Sequence, residues 1–344
     1  MAFSSLAAEA IIHGKTMGLK VYFTDHSLFG FADASSILTN KLLKFTLSDI
    51  DHVICVSNTS KENTVLRAVL NPNNVSVIPN ALVASQLLPD PSKRNPDYIT
   101  IVVLSRLVYR KGMDLLVAVI PRLCAYHPRL RFIIGGDGPK RIDLEQMREK
   151  YFLYDRVELV GAVRHSQVRN ILVKGDIFLN TSLTEAFCIG IVEAACCGLL
   201  VVSTKVGGVP EVLPEEMILF AKPDEDDIVN VVSEAIDIIE SKELDTTAFH
   251  EQVKKMYSWE DIAARTEIVY KKDSPNFKLP LIERLRRYYG CGLWYGKLLC
   301  LVMILDWILL FILEYFYPLE SIDKAEFFDA KTLNDDNFEQ GDNL

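Results

Sequence analysis

The strongest constraint on this chain is an alternation. Short apolar runs of strand type at 100–104, 131–135, 157–160, 177–179, 200–203 and 218–220 are separated by helical stretches. These lie at about 112–126, 140–151, 166–174 and 187–197, and a further helix is expected at 226–239. Strands that alternate with crossover helices form a parallel sheet covered on both faces. Six of them are enough for a complete doubly wound domain, placed here at 99–272. A polar, proline-bearing linker at 91–98 precedes it. Residues 1–90 repeat the pattern with only three strands (21–24, 53–56, 75–78) and helices at about 35–48 and 59–70, after an amphipathic helix within 1–20. That is half a Rossmann-like domain, so the expectation is that Met1 falls mid-fold with about three strands missing before it. The expected fold class is α/β, two Rossmann-like domains with the first incomplete.

Composition excludes several classes. A chain of 344 residues holds about two domains at ordinary domain sizes. Its net charge of −9 argues against a broad nucleic-acid-binding surface. The seven cysteines are scattered and odd in number; Cys196 and Cys197 are adjacent, which rules out a C-x2-C metal knuckle. They read as buried thiols in a reducing compartment. No basic, then apolar, leader of signal-peptide type opens the chain. Glycosylation sequons occur at Asn58, Asn74 and Asn180, the last inside the candidate site described below. A glycan there conflicts with function, which places the domain on the cytosolic side of any membrane.

Toward the C-terminus the pattern changes. Residues 258–272 form an amphipathic helix with Trp259, Ile262 and Ile268 or Val269 on its apolar side. A basic connector, 273–293, carries Lys278, Arg284, Arg286 and Arg287. The most hydrophobic run follows, and with Trp294, Tyr295, Tyr315 and Tyr317 as interfacial aromatics it reads as a transmembrane helix over 294–317. Asp306 near its middle is costly in lipid, so it should face a partner helix or mark function. Basic residues before the helix and an acidic, polar tail at 318–344 orient the large domains to the cytosol and the tail across the membrane.

The residues of chemical interest gather at the carboxyl ends of the strands, where open α/β sheets bind ligands. The stretch Asn180-Thr-Ser-Leu-Thr-Glu185-Ala186-Phe187 runs from a strand into a helix that carries Glu193. Glu185 and Glu193 are eight residues apart, a little over two helical turns, so both carboxylates can address one cleft. Thr181, Ser182 and Thr184 offer capping hydroxyls at a helix mouth suited to a phosphate. Arg106 and Lys111 follow the first strand of the second domain, placed to meet a diphosphate, Arg as a fork and Lys as a point charge. The turn Gly135-Gly-Asp-Gly138-Pro139 lets a ligand approach backbone. It lacks the full G-x-G-x-x-G spacing, which disfavours a dehydrogenase. Val160-Gly-Ala-Val163 is placed to flank a base, and Gly207-Gly208-Val-Pro-Glu211 adds a glycine turn. No metal cluster is visible.

In order and interval, Ser105-Arg106, Lys111-Gly112, Gly138-Pro139, Glu185/Glu193 and Gly207-Gly208 resemble the retaining GT-B glycosyltransferases that carry a Glu-x7-Glu motif. Finer matches narrow this. Thr24-Asp-His26-Ser-Leu-Phe-Gly-Phe, Val56-Ser-Asn-Thr-Ser-Lys-Glu-Asn and Asn180-Thr-Ser-Leu-Thr-Glu-Ala-Phe187 are similar to the catalytic subunits that start GPI-anchor synthesis. The resemblance implies transfer of N-acetylglucosamine from UDP-GlcNAc to phosphatidylinositol, with retention, on the cytosolic face of the endoplasmic reticulum. It also implies one membrane helix, a short lumenal tail and small membrane partner subunits, one of which Asp306 would face. By position, Arg106 and Lys111 would hold the diphosphate and Glu185 the donor-sugar hydroxyls. Glu193 would hold the ribose, and His26 would sit near the reacting carbon. Gly138, Val163, Ala186 and Phe187 would line the nucleotide-sugar site, and neither metal nor cofactor is expected. The family's opening strand and glycine-rich loop are absent from this chain. The alternatives are therefore another retaining GT-B enzyme, or a non-catalytic subunit that binds nucleotide-sugar or scaffolds the complex.

Overall fold

The computed structural model describes residues 5–30, 34–242, 244–272, 278–318 and 321. The first domain runs α1 (Ser5–Thr16), β1 (Tyr22–Asp25), α2 (Ala34–Thr46), β2 (His52–Cys55), α3 (Asn58–Ala68), β3 (Val75–Val77). Its three strands are parallel in the order β1-β2-β3. α3 starts where extended Ser57 accepts the Ser60 N–H through its hydroxyl, and it stops at Val69 in the left-handed region.

The second domain holds β4 (Ile99–Leu104), α4 (Met113–Tyr126), β5 (Leu130–Gly135), α5 (Arg141–Lys150) and β6 (Val157–Gly161). There follow α6 (Val168–Leu172), β7 (Ile177–Asn180), α7 (Ile189–Cys196), β8 (Leu200–Thr204), β9 (Ile218–Ala221) and α8 (Glu225–Ser241). The sheet order is β6-β5-β4-β7-β8-β9, all parallel. The order reverses between β4 and β7, and the loops after these two strands flank the switch point where such sheets bind ligands. Strand alternation splits the core into two layers. Val102, Phe178 and Val201 enter one cluster with α7, while Ile101, Val103, Leu179 and Val202 enter the other with α4 and α8. Strands buried on both faces read as unbroken apolar runs, which is why they were legible.

After α9 (Phe249–Met256) the chain crosses back. α10 (Trp259–Lys271) follows the second domain in sequence yet packs on the first. Ile262 and Val269 meet Ile54 and Ile78, Tyr270 lies tilted against Tyr22 with ring centroids 4.7 Å apart, and Arg265 donates to the Val77 carbonyl at 2.9 Å. Of the residues expected on the apolar side, Ile262 is buried and Val269 is buried in place of its alternative Ile268, while Trp259 is exposed.

The basic connector contains α11 (Leu281–Tyr289), and α12 (Tyr295–Phe316) is long and apolar enough to cross a membrane. Gly296, Leu299, Met303 and Asp306, spaced three, four and three, form its buried stripe. A methyl at Gly296 would lie 2.4 Å from the Tyr289 carbonyl oxygen, so glycine permits the tight α11–α12 turn. Asp306, expected to face a partner helix or to mark function, faces α1 of its own chain. It lies 2.5 Å from His13 Nδ1 and accepts from Thr16 Oγ1 at 2.7 Å, both on α1. Beside it buried Arg284 donates to Asp49 at 2.6 Å and to the Tyr288 hydroxyl at 3.2 Å. Almost all of the expected acidic tail lies outside the described residues.

Candidate functional site

A cavity of about 520 Å³ opens between the domains. His26, Leu28 and Phe29 line it from the loop after β1, and Arg106, Lys111 and Glu185 from the loops after β4 and β7. Those two loops are stitched together. Thr181 Oγ1 donates to the carbonyls of Lys111 (3.0 Å) and Gly112 (3.1 Å), and the Leu183 N–H donates to the Arg110 carbonyl (2.9 Å). Gly112 is left-handed, and a methyl there would fall 1.7 Å from the Thr181 oxygen, so only glycine lets the loops meet.

The result is an ion pair between Lys111 and Glu185, both largely shielded from water. Ser182, fully buried, donates to the same carboxylate at 2.9 Å. Thr181 and Ser182 thus spend their hydroxyls on loop architecture and on Glu185, not on capping a helix as expected. α7 begins only at Ile189, after Cys188 in the left-handed region, with no side-chain cap. Burial pushes the Cys188 thiol up to about 12, so it stays protonated. Arg106 lies exposed at the cavity, and among the described residues its guanidinium has no hydrogen-bond or ion-pair partner. Burial lowers the pKa of His26 from its ordinary value, leaving a neutral ring at pH 7.

The remaining expected residues fall in different places. Glu193 sits deeper along α7, mostly buried, 4.0 Å from His165 and outside the cavity lined by Glu185. Its pKa is raised by burial, with His165 opposing. Gly138 packs its turn against the 105–107 loop. A methyl there would lie 2.4 Å from the Leu107 oxygen, and the turn is bound to the 105–107 loop through Leu107 N–H to Asp137 O at 2.9 Å. Val163 packs its methyl over Gly135. Ala186 lines the cavity, but Phe187 turns into the core, edge-on to Tyr257 at 5.6 Å.

Sequence reasoning missed the contacts that hold the domains together. Glu211 accepts from the backbone N–H of Asn58 (2.6 Å) and Thr59 (2.8 Å), from Asn58 Nδ2 (2.9 Å) and from Thr59 Oγ1 (2.7 Å). Burial alone raises its pKa, but the hydrogen bonds from Thr59 and Asn58 outweigh this and hold it low. Ser57 Oγ donates to the Ala186 carbonyl at 2.6 Å across the domains, and within the second domain the Gly208 N–H donates to the Glu185 carbonyl at 3.0 Å. Arg110, also missed, donates to the Leu28 carbonyl at 3.1 Å and covers the Phe29 ring. Glu211 after a proline reads locally as a solvated first-turn acid; only the fold brings the start of α3 opposite.

Known proteins agree with this architecture. Residues 85–256 match the family described as glycosyl transferases group 1, and residues 1–33 match PIGA (GPI anchor biosynthesis). The chain is 61% identical over 324 residues to the phosphatidylinositol N-acetylglucosaminyltransferase gpi3 subunit of Schizosaccharomyces pombe, covering 94% of this chain and 71% of that protein. Identity is 47% over 346 residues to the GPI3 subunit of the same enzyme in Saccharomyces cerevisiae, covering 97% of this chain and 76% of that protein. Among solved structures, Anabaena Alr3699/HepE in complex with UDP superposes with a TM-score of 0.67 at 18% identity, covering 77% of this chain and 75% of the other. Sucrose-phosphate synthase from Thermosynechococcus elongatus gives 0.63 at 24% identity over 74% and 67%. At such identities these structures establish the fold alone, which is GT-B. The chain belongs to the GPI3 family of phosphatidylinositol N-acetylglucosaminyltransferase subunits, glycosyltransferases of group 1.

Proposed function

We propose that the chain transfers N-acetylglucosamine from UDP-GlcNAc to phosphatidylinositol, the first step of GPI-anchor synthesis, with retention of configuration. The observation that carries this reading is the Lys111–Glu185 pair beside the exposed Arg106, facing His26 across one interdomain cavity. Arg106 and Lys111 hold the diphosphate of the donor. Glu185, oriented by Ser182, accepts hydrogen bonds from the sugar hydroxyls. Glu193 holds the ribose, and neutral His26 donates to or accepts from the sugar near the reacting carbon.

In the transfer the bond from the anomeric carbon to the diphosphate oxygen breaks, and its electron pair leaves with UDP. An inositol hydroxyl oxygen bonds to the same face of that carbon, and its proton passes to the departing phosphate oxygen. The two cations stabilise the charge that develops on the leaving group, in a site where they are already oriented. In this reading no metal takes part. The protein works at the cytosolic face of the endoplasmic reticulum, anchored by α12 and joined to other membrane subunits.

The test is transfer of labelled N-acetylglucosamine to phosphatidylinositol by membranes that express the chain in a null background, beside Glu185→Ala. Activity that disappears with Glu185→Ala supports the reading. UDP binding without transfer reassigns the chain as a donor-binding component of the complex, and loss of both overturns the site.

A further inference from the structure

Among the described residues, Arg106, Arg110 and Lys111 line the interdomain cavity against one carboxylate, Glu185. The excess of positive charge is local, since the chain as a whole carries −9. Lys111 pairs with Glu185 and Arg106 lies exposed at the cavity, the two cations assigned above to the donor diphosphate. Arg110 is left without a use. It differs from its neighbours in where it points. Its backbone belongs to the second domain, where the Arg110 carbonyl accepts the Leu183 N–H at 2.9 Å on the loop that leads to Glu185. Its side chain crosses to the first. Nη2 donates to the Leu28 carbonyl at 3.1 Å, and the guanidinium carbon lies 5.4 Å from the centroid of the Phe29 ring, both on the loop that carries His26. The other arginine over that ring, Arg67 at 4.8 Å, is buried beside Asp25 and shielded from water. Arg110 stays exposed, and its bond to Leu28 commits one of the five donors of a guanidinium.

We infer that Arg110 binds the phosphodiester of the acceptor and so selects an anionic headgroup over a neutral one; this role rests on the proposed function and gives its second substrate a binding residue. The attacking inositol hydroxyl must reach the anomeric carbon beside His26, and the phosphodiester is carried on the same inositol ring. It therefore enters the cavity along the His26 loop, where the Arg110 side chain stands. Donor and acceptor then bring two anions into one cavity, and their repulsion has to be offset. Arg106 and Lys111 answer the diphosphate. The guanidinium fork of Arg110 meets two oxygens of a phosphodiester with parallel hydrogen bonds, which a point charge does not. His26, neutral at pH 7 because burial lowers its pKa, adds no charge on that side.

The test is calorimetric binding of soluble headgroups to the purified full chain in detergent, with UDP present. Glycerophosphoinositol carries the phosphodiester and myo-inositol lacks it. Wild type should bind glycerophosphoinositol at least about tenfold more tightly, the ordinary worth of a hydrogen bond to a charged group. Arg110→Gln should erase this preference and leave UDP affinity unchanged, while Arg110→Lys, which keeps the charge without the fork, should retain part of it. Equal or undetectable binding of the two headgroups by wild type overturns the proposal, and so does a preference that survives Arg110→Gln. A parallel fall in UDP affinity also overturns it, by assigning Arg110 to the donor phosphates or to a strut between the domains. Transfer of labelled sugar to phosphatidylinositol is scored separately. Transfer by a wild-type chain without the preference leaves the proposed function standing and overturns the role of Arg110. A preference for glycerophosphoinositol, lost in Arg110→Gln, in a chain that transfers nothing upholds Arg110 and overturns the proposed function instead.

Discussion

Gly208→Ala isolates the link between domain packing and the Glu185 carboxylate at the cavity. Gly208 has φ −84° and ψ −1°, a conformation that alanine adopts freely, so the substitution carries no backbone strain. The whole effect is steric. The added methyl would stand 2.2 Å from the Ala186 carbonyl oxygen and 2.5 Å from Ser57 Oγ, the two atoms of an interdomain hydrogen bond. Restoring 3.4 Å, the lower edge of ordinary contact, requires the Ala186 oxygen to retreat by about 1.2 Å, and Glu185 is the next residue. Overpacking of this kind costs about 1–3 kcal/mol. A displacement near 1 Å at a positioned group costs on the order of 10²-fold in rate. Labelled-sugar transfer should therefore fall about 100-fold, with a lower unfolding temperature. Gly190→Ala is the matched control for stability: its methyl would meet nothing closer than 3.5 Å, and removing a helical glycine should gain about 0.5–1 kcal/mol. Wild-type transfer and unfolding temperature in Gly208→Ala would refute the reasoning.

Three further outcomes are expected. Lys111→Ala removes one preorganised cation and strips Glu185 of its partner, so kcat should drop on the order of 10²–10³-fold in the transfer assay; an unchanged kcat removes Lys111 from the mechanism. For Glu193, burial raises the folded pKa above the unfolded value, so the fold binds the proton more tightly and stability falls as pH rises through the carboxylate range. Glu193→Gln should accordingly unfold at a higher temperature than wild type at pH 7, with the gap closing under acid, while UDP affinity measured by calorimetry decreases. Arg284→Met leaves buried Asp49 unpaired and should cost about 3–5 kcal/mol in thermal unfolding, most of which Asp49→Asn in the same chain should restore. A double variant as unstable as the single one contradicts that account.

Features that depend on local pattern could be read before any coordinates. Two-face burial made the strands of both sheets continuous apolar runs, so 100–104, 177–179 and 200–203 were legible within a residue or two. The Glu185 and Lys111 loops were legible because both follow strands at the switch point, where open α/β sheets bind ligands. Features that join residues distant in sequence emerged only from the packed chain. Phe187 and Glu185 are two positions apart, yet one fills the core against Tyr257 and the other lines the cavity, a difference that only the packed loop shows. Glu211 became an interdomain clamp only when α3 arrived opposite it, and α10 joined the first domain because its Ile262–Val269 stripe fits Ile54 and Ile78. Asp306 read locally as a residue in need of a partner helix, without saying which helix. Its partners, His13 and Thr16, lie some 290 positions earlier, and no local pattern of apolar and polar residues encodes a contact across that separation.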